Sequence, residues 1–256
     1  MTKIIMDTSY NPFSLKGKTI LITGASSGIG KETAIECSRL GATVFITGRN
    51  EKRLRESYGA LEGDGHKYLA ADLTVEEDLV NLISNIDKLD GIVLCAGKGT
   101  TVPFLFCDRD KFDDIFNINF FSPVELLRLL VKKKRLNPNS SVVFVASIGG
   151  TKRFTIGNSI YGTAKAALQA MVNFTAIELA PKKIRVNSVC PGMVNTPLID
   201  PGKITKDQMQ VDVENYLLKR YGEPIEIAHS IIFLLSDASS WITGHGIVID
   251  GGRTLK

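Results

Sequence analysis

A glycine-rich turn between an apolar strand and a helix is the feature that most constrains the fold of this chain. The apolar run 19–23 leads directly into Gly24-Ala25-Ser26-Ser27-Gly28-Ile29-Gly30, and a helical pattern then continues to Leu40. Glycines let a backbone approach a pyrophosphate closely, and the free N–H groups at the start of a helix favour an anion. The segment therefore predicts the first βαβ unit of a dinucleotide-binding fold.

Short apolar segments alternate with helical patterns along the rest of the chain. Strands are predicted at 18–23, 43–47, 67–71, 91–95, 141–147, 184–190 and 246–249. Helices are predicted at 28–40, 51–60, 75–86, 110–134, 159–180 and 224–236. This alternation is typical of a parallel sheet that is buried on both faces. We predict an α/β protein with a doubly wound Rossmann fold, in which a seven-stranded parallel sheet carries helices on both faces.

Composition narrows the classes of function. The 256 residues contain no linker, repeat or low-complexity stretch, so one NAD(P)-binding domain is expected over 1–256, with a polar N-terminal tail at 1–13. The net charge of +4 is spread along the chain, which does not favour nucleic-acid binding. No apolar stretch approaches the length of a membrane span. Four cysteines without a Cys-x-x-Cys pair and three scattered histidines predict a cytoplasmic protein with reduced thiols and no metal site.

Three polar residues in the second half of the chain suit proton transfer. Tyr161 and Lys165 are four residues apart, so on a helix they share one face, and Ser147 lies fourteen residues upstream. A nearby ammonium favours the phenolate, so Lys165 is expected to lower the pKa of Tyr161 towards working pH. A serine hydroxyl can hold a substrate oxygen beside the phenol. The alternative is that both are ordinary helix residues; if they are catalytic, hydride must come from a cofactor.

These motifs together resemble the short-chain dehydrogenase/reductase family. In chain order they are Thr23-Gly24-x-x-x-Gly28-x-Gly30, Asn117-Ile118-Asn119-Phe120, Ser147, Tyr161 with Lys165, Arg185-Val186-Asn187-Ser188-Val189-Cys190-Pro191-Gly192 and Ile249-Asp250-Gly251-Gly252. The resemblance extends from about Ser14 to the C-terminus. Within the family it is greatest to the 3-oxoacyl-acyl-carrier-protein reductases.

The resemblance implies a set of site residues. The implied catalytic residues are Asn119, Ser147, Tyr161 and Lys165, with Tyr161 as the general acid in reduction and Asn119 holding an ordered water in a proton relay. The implied cofactor-binding residues are Gly24, Ser26, Ser27, Gly28, Ile29, Gly30, Arg49, Asp72, Leu73, Ala96, Gly97, Tyr161, Lys165, Pro191, Gly192, Val194 and Thr196. The family usually has Asn-Asn-Ala-Gly after the fourth strand, whereas this chain has Leu94-Cys95-Ala96-Gly97, so local bracing of the sheet there is in doubt.

The second strand indicates which nucleotide is bound. NAD sites usually carry an acid at its end, but here Thr47-Gly48 is followed by Arg49, which suits a 2′-phosphate and predicts NADP(H). Arg49 could instead be a surface residue that opens the next helix. Asp72 matches the family residue that faces the adenine, and it could alternatively cap the helix that begins near Val75.

The implied function is NADPH-dependent reduction of a carbonyl to a secondary alcohol, with a 3-oxoacyl thioester as the expected substrate. A steroid, bile-acid, sugar or polyol dehydrogenase is an alternative, and a non-catalytic nucleotide-binding sensor or scaffold is a second one of another class. Segment 192–223 is expected to be a substrate lid. The basic run Lys132-Lys133-Lys134-Arg135 is either a solvated helix end or a docking patch for an acidic carrier protein. The family also implies a homotetramer.

Overall fold

The computed structural model describes residues 10–199 and 205–256. In this part of the chain seven strands form one parallel sheet with the order β3-β2-β1-β4-β5-β6-β7. The strands are β1 Thr19–Thr23, β2 Thr43–Gly48, β3 Lys67–Ala70, β4 Leu89–Leu94, β5 Leu136–Val145, β6 Arg185–Pro191 and β7 Gly246–Ile249. The predicted fold class is confirmed.

Eight α-helices lie around the sheet in the described residues. They are α1 Gly28–Arg39, α2 Glu51–Tyr58, α3 Glu76–Ser84, α4 Arg109–Phe116, α5 Ser122–Lys132, α6 Ser159–Leu179, α7 Lys206–Val213 and α8 Pro224–Leu235. The helix predicted at 110–134 is present from Arg109 to Lys132, but a π-helical turn that was not predicted, Asn117–Phe121, divides it into α4 and α5. Helix α7 was not predicted, and it lies within the segment expected to be a lid. No helix among the described residues has the length and apolar character needed to cross a membrane.

The strands alternate their side chains between two apolar layers. Leu21 packs into a layer completed by α3, α5 and α6, whereas Ile20 and Ile22 face a layer completed by α1 and α8. Each fully buried leucine or isoleucine stabilises the fold by roughly 1.5–3 kcal/mol. The two layers hold the sheet rigidly, so the loops at the carboxyl ends of the strands are built on a fixed frame.

The carboxyl edge of the sheet has a topological switch point between β1 and β4. Chain order reverses there, because β1 pairs with β2 on one side and with β4 on the other. In open α/β sheets a crevice forms at this position, and ligands bind in it. The glycine turn follows β1 directly, so it lies at this crevice.

The N-terminal tail expected at 1–13 falls partly outside the described residues, which begin at residue 10. The part that is described packs against the domain. The Pro12 carbonyl accepts a hydrogen bond of 3.1 Å from the Ala238 N–H, and the Phe13 ring lies 6.3 Å from the Phe233 ring. Residues 12 and 13 therefore belong to the folded unit.

Candidate active site

Ser147, Tyr161 and Lys165 meet at the carboxyl end of β5. Ser147 lies two residues beyond that strand, and Tyr161 and Lys165 occupy one face of the first two turns of α6. The Ser147 hydroxyl lies near enough to the Tyr161 phenol to act on its pKa, and it accepts a 3.0 Å hydrogen bond from the Gly149 N–H. The Lys165 Nζ lies 5.8 Å from the centre of the Tyr161 ring and donates a 2.8 Å hydrogen bond to the Val145 carbonyl. The structure therefore brings the three residues together as the spacing predicted.

Burial controls the charge of both titratable side chains. It raises the pKa of Tyr161 to about 12, against the opposing effect of the nearby Ser147 hydroxyl. It lowers the pKa of Lys165, which is only 4% exposed, to about 8. The expectation that Lys165 lowers the pKa of Tyr161 is wrong for this structure. Desolvation of the phenolate raises that pKa by more than the Ser147 hydroxyl lowers it. At neutral pH Tyr161 is therefore a neutral phenol, which is the form that can donate a proton.

Asn119 lies in the π-helical turn and is fully buried. Its amide donates hydrogen bonds of 2.9 Å to the Lys98 carbonyl and 3.0 Å to the Ile115 carbonyl. A Cβ atom placed on Gly97 would lie 2.7 Å from Asn119 Oδ1 and 3.6 Å from Lys165 Nζ. The side chains of Asn119 and Lys165 therefore approach the same point, and only glycine at position 97 leaves that point open.

The glycine turn forms a cradle with no room for side chains. Gly24 has a φ of 67°, and a Cβ atom there would lie 2.9 Å from the Ala96 backbone. A Cβ atom on Gly30 would lie 2.5 Å from the Gly24 carbonyl oxygen. At the start of α1 the Ser27 side chain makes no capping hydrogen bond, and the first turn carries no acid. The first N–H groups of the helix are thus left for an anion, so the turn fits a dinucleotide pyrophosphate.

Ser26 and Thr196 lie on two sides of the glycine turn. A Cβ atom on Gly48 would lie 3.3 Å from Ser26 Oγ, which places Ser26 at the end of β2. A Cβ atom on Gly28 would lie 3.0 Å from Thr196 Cγ2. The loop after β6 therefore reaches across to the start of α1, and the Ile29 side chain at that helix start is partly exposed.

Arg49 and Asp72 face each other at the ends of β2 and β3. Arg49 Nη1 lies 3.7 Å from Asp72 Oδ2, and the Arg49 side chain is 59% exposed. Although burial acts to raise the pKa of Asp72, hydrogen bonds from Thr74 and the Arg49 guanidinium lower it below its ordinary value. Asp72 also accepts hydrogen bonds from the Thr74 N–H and hydroxyl, which supports the turn before α3. Asp72 does not cap α3, because the N-cap residue of that helix is Val75 and no side chain makes a capping hydrogen bond there; a role beside the adenine stays a prediction.

Several of the expected cofactor contacts can involve only the backbone. Leu73 and Val194 are each 6% exposed, and their side chains pack in the two apolar layers. After β6, the Gly192 N–H donates a 2.9 Å hydrogen bond to the Ile249 carbonyl, and the Ile148 N–H donates a 3.1 Å hydrogen bond to the Pro191 carbonyl. These bonds fix the start of the 192–223 segment beside the loop that carries Ser147.

Thr23 braces the position where the family's two asparagines are missing. Its hydroxyl accepts hydrogen bonds of 3.0 Å from the Cys95 N–H and 3.1 Å from the Ala96 N–H, and it donates one of 3.3 Å to the Val93 carbonyl. The doubt about local bracing is resolved by a residue that sequence reasoning did not assign to the site. The available signal was a hydroxyl residue at the end of a buried strand, immediately before a glycine.

The basic run Lys132–Arg135 lies at the amino edge of the sheet. It begins at the last residue of α5 and ends immediately before β5, whereas Ser147 follows the carboxyl end of that strand. Lys88 Nζ donates a 2.6 Å hydrogen bond to the Lys134 carbonyl, and the Arg135 guanidinium donates a 3.3 Å hydrogen bond to the Asp87 carbonyl. This placement favours a solvated helix end over a docking patch beside the site.

Comparison with known proteins identifies the family. The family model described as enoyl-(acyl carrier protein) reductase matches residues 24–254. A 3-oxoacyl-acyl-carrier-protein reductase of Rickettsia conorii is 36% identical over 241 residues, which cover 94% of this chain and 98% of that protein.

The chain belongs to the short-chain dehydrogenase/reductase family.

Other relatives of similar length are named for a different activity or only for the family. A cyclopentanol dehydrogenase of Comamonas testosteroni is 31% identical over 93% of this chain and 98% of that protein. The crystal structure of a short-chain dehydrogenase/reductase from Mycobacterium marinum has a TM-score of 0.83 and 31% identity, over 96% of this chain and 98% of that chain. This chain is therefore an oxidoreductase of a family that uses NAD(P), and the alternative of a non-catalytic scaffold is not supported.

Proposed function

We propose that this protein is an NADPH-dependent reductase that converts the ketone of a 3-oxoacyl thioester to a secondary alcohol. The observation that carries the proposal is the cluster of Ser147, Tyr161 and Lys165, next to a glycine cradle that fits a pyrophosphate. The substrate assignment is supported by the relatives of 34–36% identity, which are 3-oxoacyl-acyl-carrier-protein reductases.

The glycine turn and the start of α1 would hold the pyrophosphate, and Arg49 would pair with the 2′-phosphate. When bound, NADPH supplies the hydride, which no side chain can supply. The Ser147 hydroxyl orients the ketone oxygen beside the Tyr161 phenol, and Tyr161 donates its proton to that oxygen as the alcohol forms. Lys165 provides a buried positive charge beside the phenol at pH values below about 8.

Asn119 completes the proposed proton path. Its Oδ1 and the Lys165 Nζ approach the same point near Gly97, which suits an ordered water between them. A proton lost from Tyr161 can then be replaced through Lys165 and this water. Because the Asn119 amide is held by two carbonyl groups, its oxygen has a fixed direction.

Removal of the Tyr161 hydroxyl tests this mechanism. Tyr161→Phe keeps the ring and deletes the donor, so turnover should fall by roughly 10²–10⁴-fold, the usual contribution of a positioned acid. NADPH affinity, measured by fluorescence titration, should change by less than about threefold, since the ring still packs in place. A loss of turnover below tenfold would exclude Tyr161 as the proton donor.

A secondary-alcohol dehydrogenase is the second candidate. Its support is the 31% identity to a cyclopentanol dehydrogenase, an enzyme named for a cyclic secondary alcohol. The same three residues serve that reaction in reverse, with Tyr161 as the base. The two candidates therefore differ in substrate and direction, and they share the site.

A parallel screen decides between the candidates. Oxidation of NADPH or NADH by the purified protein is followed at the nicotinamide absorbance band. One set of substrates is acetoacetyl thioesters, free and on a carrier protein. The other set is cyclopentanone, steroid ketones and sugar ketones. We expect the thioesters to give the highest kcat/KM with NADPH. Higher kcat/KM with cyclopentanone or another ketone would overturn the thioester assignment, and Tyr161→Phe serves as the blank in every reaction.

A further inference from the structure

The carboxylate of Asp212 contacts side chains from the loop before α6, from the C-terminus and from the segment before α8. Asp212, on α7, lies 3.3 Å from the Arg153 guanidinium and 3.6 Å from the Arg253 guanidinium. Its other oxygen accepts a 3.2 Å hydrogen bond from the Tyr221 hydroxyl. The Asp212 and Arg153 side chains are 28% and 25% exposed, so solvent screens their attraction only in part.

Arg153 belongs to the loop between Ser147 and Tyr161. Its N–H donates a 2.9 Å hydrogen bond to the Ile148 carbonyl, and its carbonyl accepts a 3.0 Å hydrogen bond from the Gly150 N–H. The backbone of Arg153 is thus fixed to the first turn after Ser147. Any contact that Arg153 makes with α7 therefore connects that helix to the loop between Ser147 and Tyr161.

The two ends of the 192–223 segment are fixed independently of α7. The Gly222 N–H donates a 3.0 Å hydrogen bond to the Met193 carbonyl, and the Asn195 N–H donates one of 2.9 Å to the Gly222 carbonyl. The Met193 N–H also donates a 3.1 Å hydrogen bond to the Tyr216 hydroxyl. These bonds join the two ends of the segment to each other and do not involve α7. The position of α7 within the segment therefore depends on the contacts that α7 itself makes.

Apolar packing holds α7 only weakly. Of its described side chains none is buried, and Val211 is 69% exposed. Helices of globular proteins are usually held by a buried apolar face, and an eight-residue helix is not stable alone. The polar contacts of Asp212 are therefore the main side-chain anchor of α7 among the residues that the structure describes.

We propose that the Asp212–Arg153 ion pair is a latch that holds α7 against the loop between Ser147 and Tyr161, and that it keeps the substrate in the site. The part concerning substrate rests on the proposed function. Neither residue touches the reacting atoms, so both are positioning residues. Opening the latch weakens substrate retention and leaves proton donation by Tyr161 intact, so KM rises while kcat changes little.

The first test measures α7 directly and needs no substrate. Amide hydrogen exchange of residues 207–213 is compared in the wild type, Arg153→Gln, Asp212→Asn and the double variant. A partly exposed charged contact corresponds to a change of about three- to tenfold, and we expect each single variant to speed exchange by that factor. Exchange in the double variant should be less than additive, because both changes remove the Asp212–Arg153 contact, and it should resemble exchange in Asp212→Asn, which also alters the contacts with Arg253 and Tyr221. Arg153→Lys, which keeps the charge, should restore part of the protection.

Glu62→Gln is the matched control. Glu62 forms an exposed 2.8 Å ion pair with Arg39 at the other edge of the sheet, so this variant makes the same carboxylate-to-amide change far from α7. It should leave exchange in α7 and the kinetic constants unchanged. Unchanged α7 exchange in both Arg153→Gln and Asp212→Asn, or equal acceleration in Glu62→Gln, would overturn the latch.

Kinetics test the second half of the proposal. KM for the best substrate of the screen should rise about three- to tenfold in Arg153→Gln, with kcat within about twofold of the wild type. An equal fall in kcat and kcat/KM would instead place Arg153 in the chemical step and overturn its positioning role. If the wild type turns over no carbonyl while α7 exchange responds as expected, the proposed function fails and the latch on α7 stands.

Discussion

Tyr161 and Lys165 share one buried environment that has opposite effects on their pKa values. Burial disfavours whichever form is charged, so it raises the pKa of the phenol to about 12 and lowers that of the amine to about 8. Between these values Tyr161 is protonated and Lys165 is largely neutral. The residue that titrates near physiological pH is therefore Lys165.

The pH dependence of reduction should follow Lys165. Below about pH 8 its ammonium is charged and can stabilise the phenolate that Tyr161 becomes on giving up its proton, so kcat/KM for reduction should fall as pH rises through about 8. The measurement is a pH–rate profile between about pH 6 and pH 10. A rate that is constant or rises across this range would contradict the assignment.

The same shift has a consequence for stability. The pKa of Lys165 is lower in the folded protein than its ordinary value of 10.5, so between about 8 and 10.5 the unfolded chain binds more protons. This group therefore makes stability rise with pH across that window, and its full penalty is present below it. The free energy of unfolding in urea should therefore rise between about pH 8 and 10.5 in the wild type, and this contribution should be absent in Lys165→Met.

Arg49 should set the preference for NADPH. A charge-assisted hydrogen bond contributes about 1.5–3 kcal/mol, and because the side chain is 59% exposed we expect the lower end, so Arg49→Ala should weaken NADPH by roughly tenfold. NADH, which lacks the 2′-phosphate, should change by less than about twofold. Fluorescence titration of both nucleotides checks this. Equal affinities in the wild type, unaltered by the substitution, would make Arg49 a surface residue.

At the scale of the element, the π-helical turn decides where Asn119 points. The sequence pattern of 110–134 is helical throughout, so a single helix was the natural prediction. One wider turn changes the direction of the side chains that follow it, and π turns often occur at functional sites. Here the turn places Asn119 against Gly97 and Lys98, which local spacing in the sequence does not reveal.

The Thr23 hydroxyl should contribute more to the free energy of unfolding than the hydroxyl of Thr47, a buried threonine on the neighbouring strand. Thr23→Val leaves two partly buried N–H groups without this acceptor, so the free energy of unfolding should fall by about 1–3 kcal/mol. Thr47→Val is the control, because the Thr47 hydroxyl makes one hydrogen bond, to the Leu69 carbonyl, and its loss should cost about half as much. Urea denaturation measures both. Equal losses would show that the Thr23 contacts to β4 are not a brace.

At the scale of the whole molecule, large apolar side chains remain exposed on helices and in the turn before β7. Trp241 is 98% exposed, Ile177 73%, Phe174 64% and Phe121 54%. Exposed apolar surface of this kind marks contact sites between proteins. It supports the expectation of a homotetramer, in which such faces are covered by other copies.

The assembly prediction has two readouts. Sedimentation at micromolar concentration should give about four times the chain mass of 27.9 kDa. Trp241 is the single tryptophan, so its emission should shift to shorter wavelength as dilution is reversed and the tetramer forms. Trp241→Ser should weaken assembly. A wild-type mass of 27.9 kDa, with emission typical of exposed tryptophan at every concentration, would contradict the prediction.

The sequence alone determined the sheet, its order of elements and the residues that gather at its carboxyl edge. These follow from local patterns, because apolar periodicity, glycine spacing and the separation of Tyr161 from Lys165 act over a few residues. The tertiary structure decided the direction of the Tyr161 pKa shift, the bracing by Thr23 and the meeting of Asp212 with Arg153. Desolvation and contacts between segments more than fifty residues apart depend on packing, which no local pattern in the sequence records.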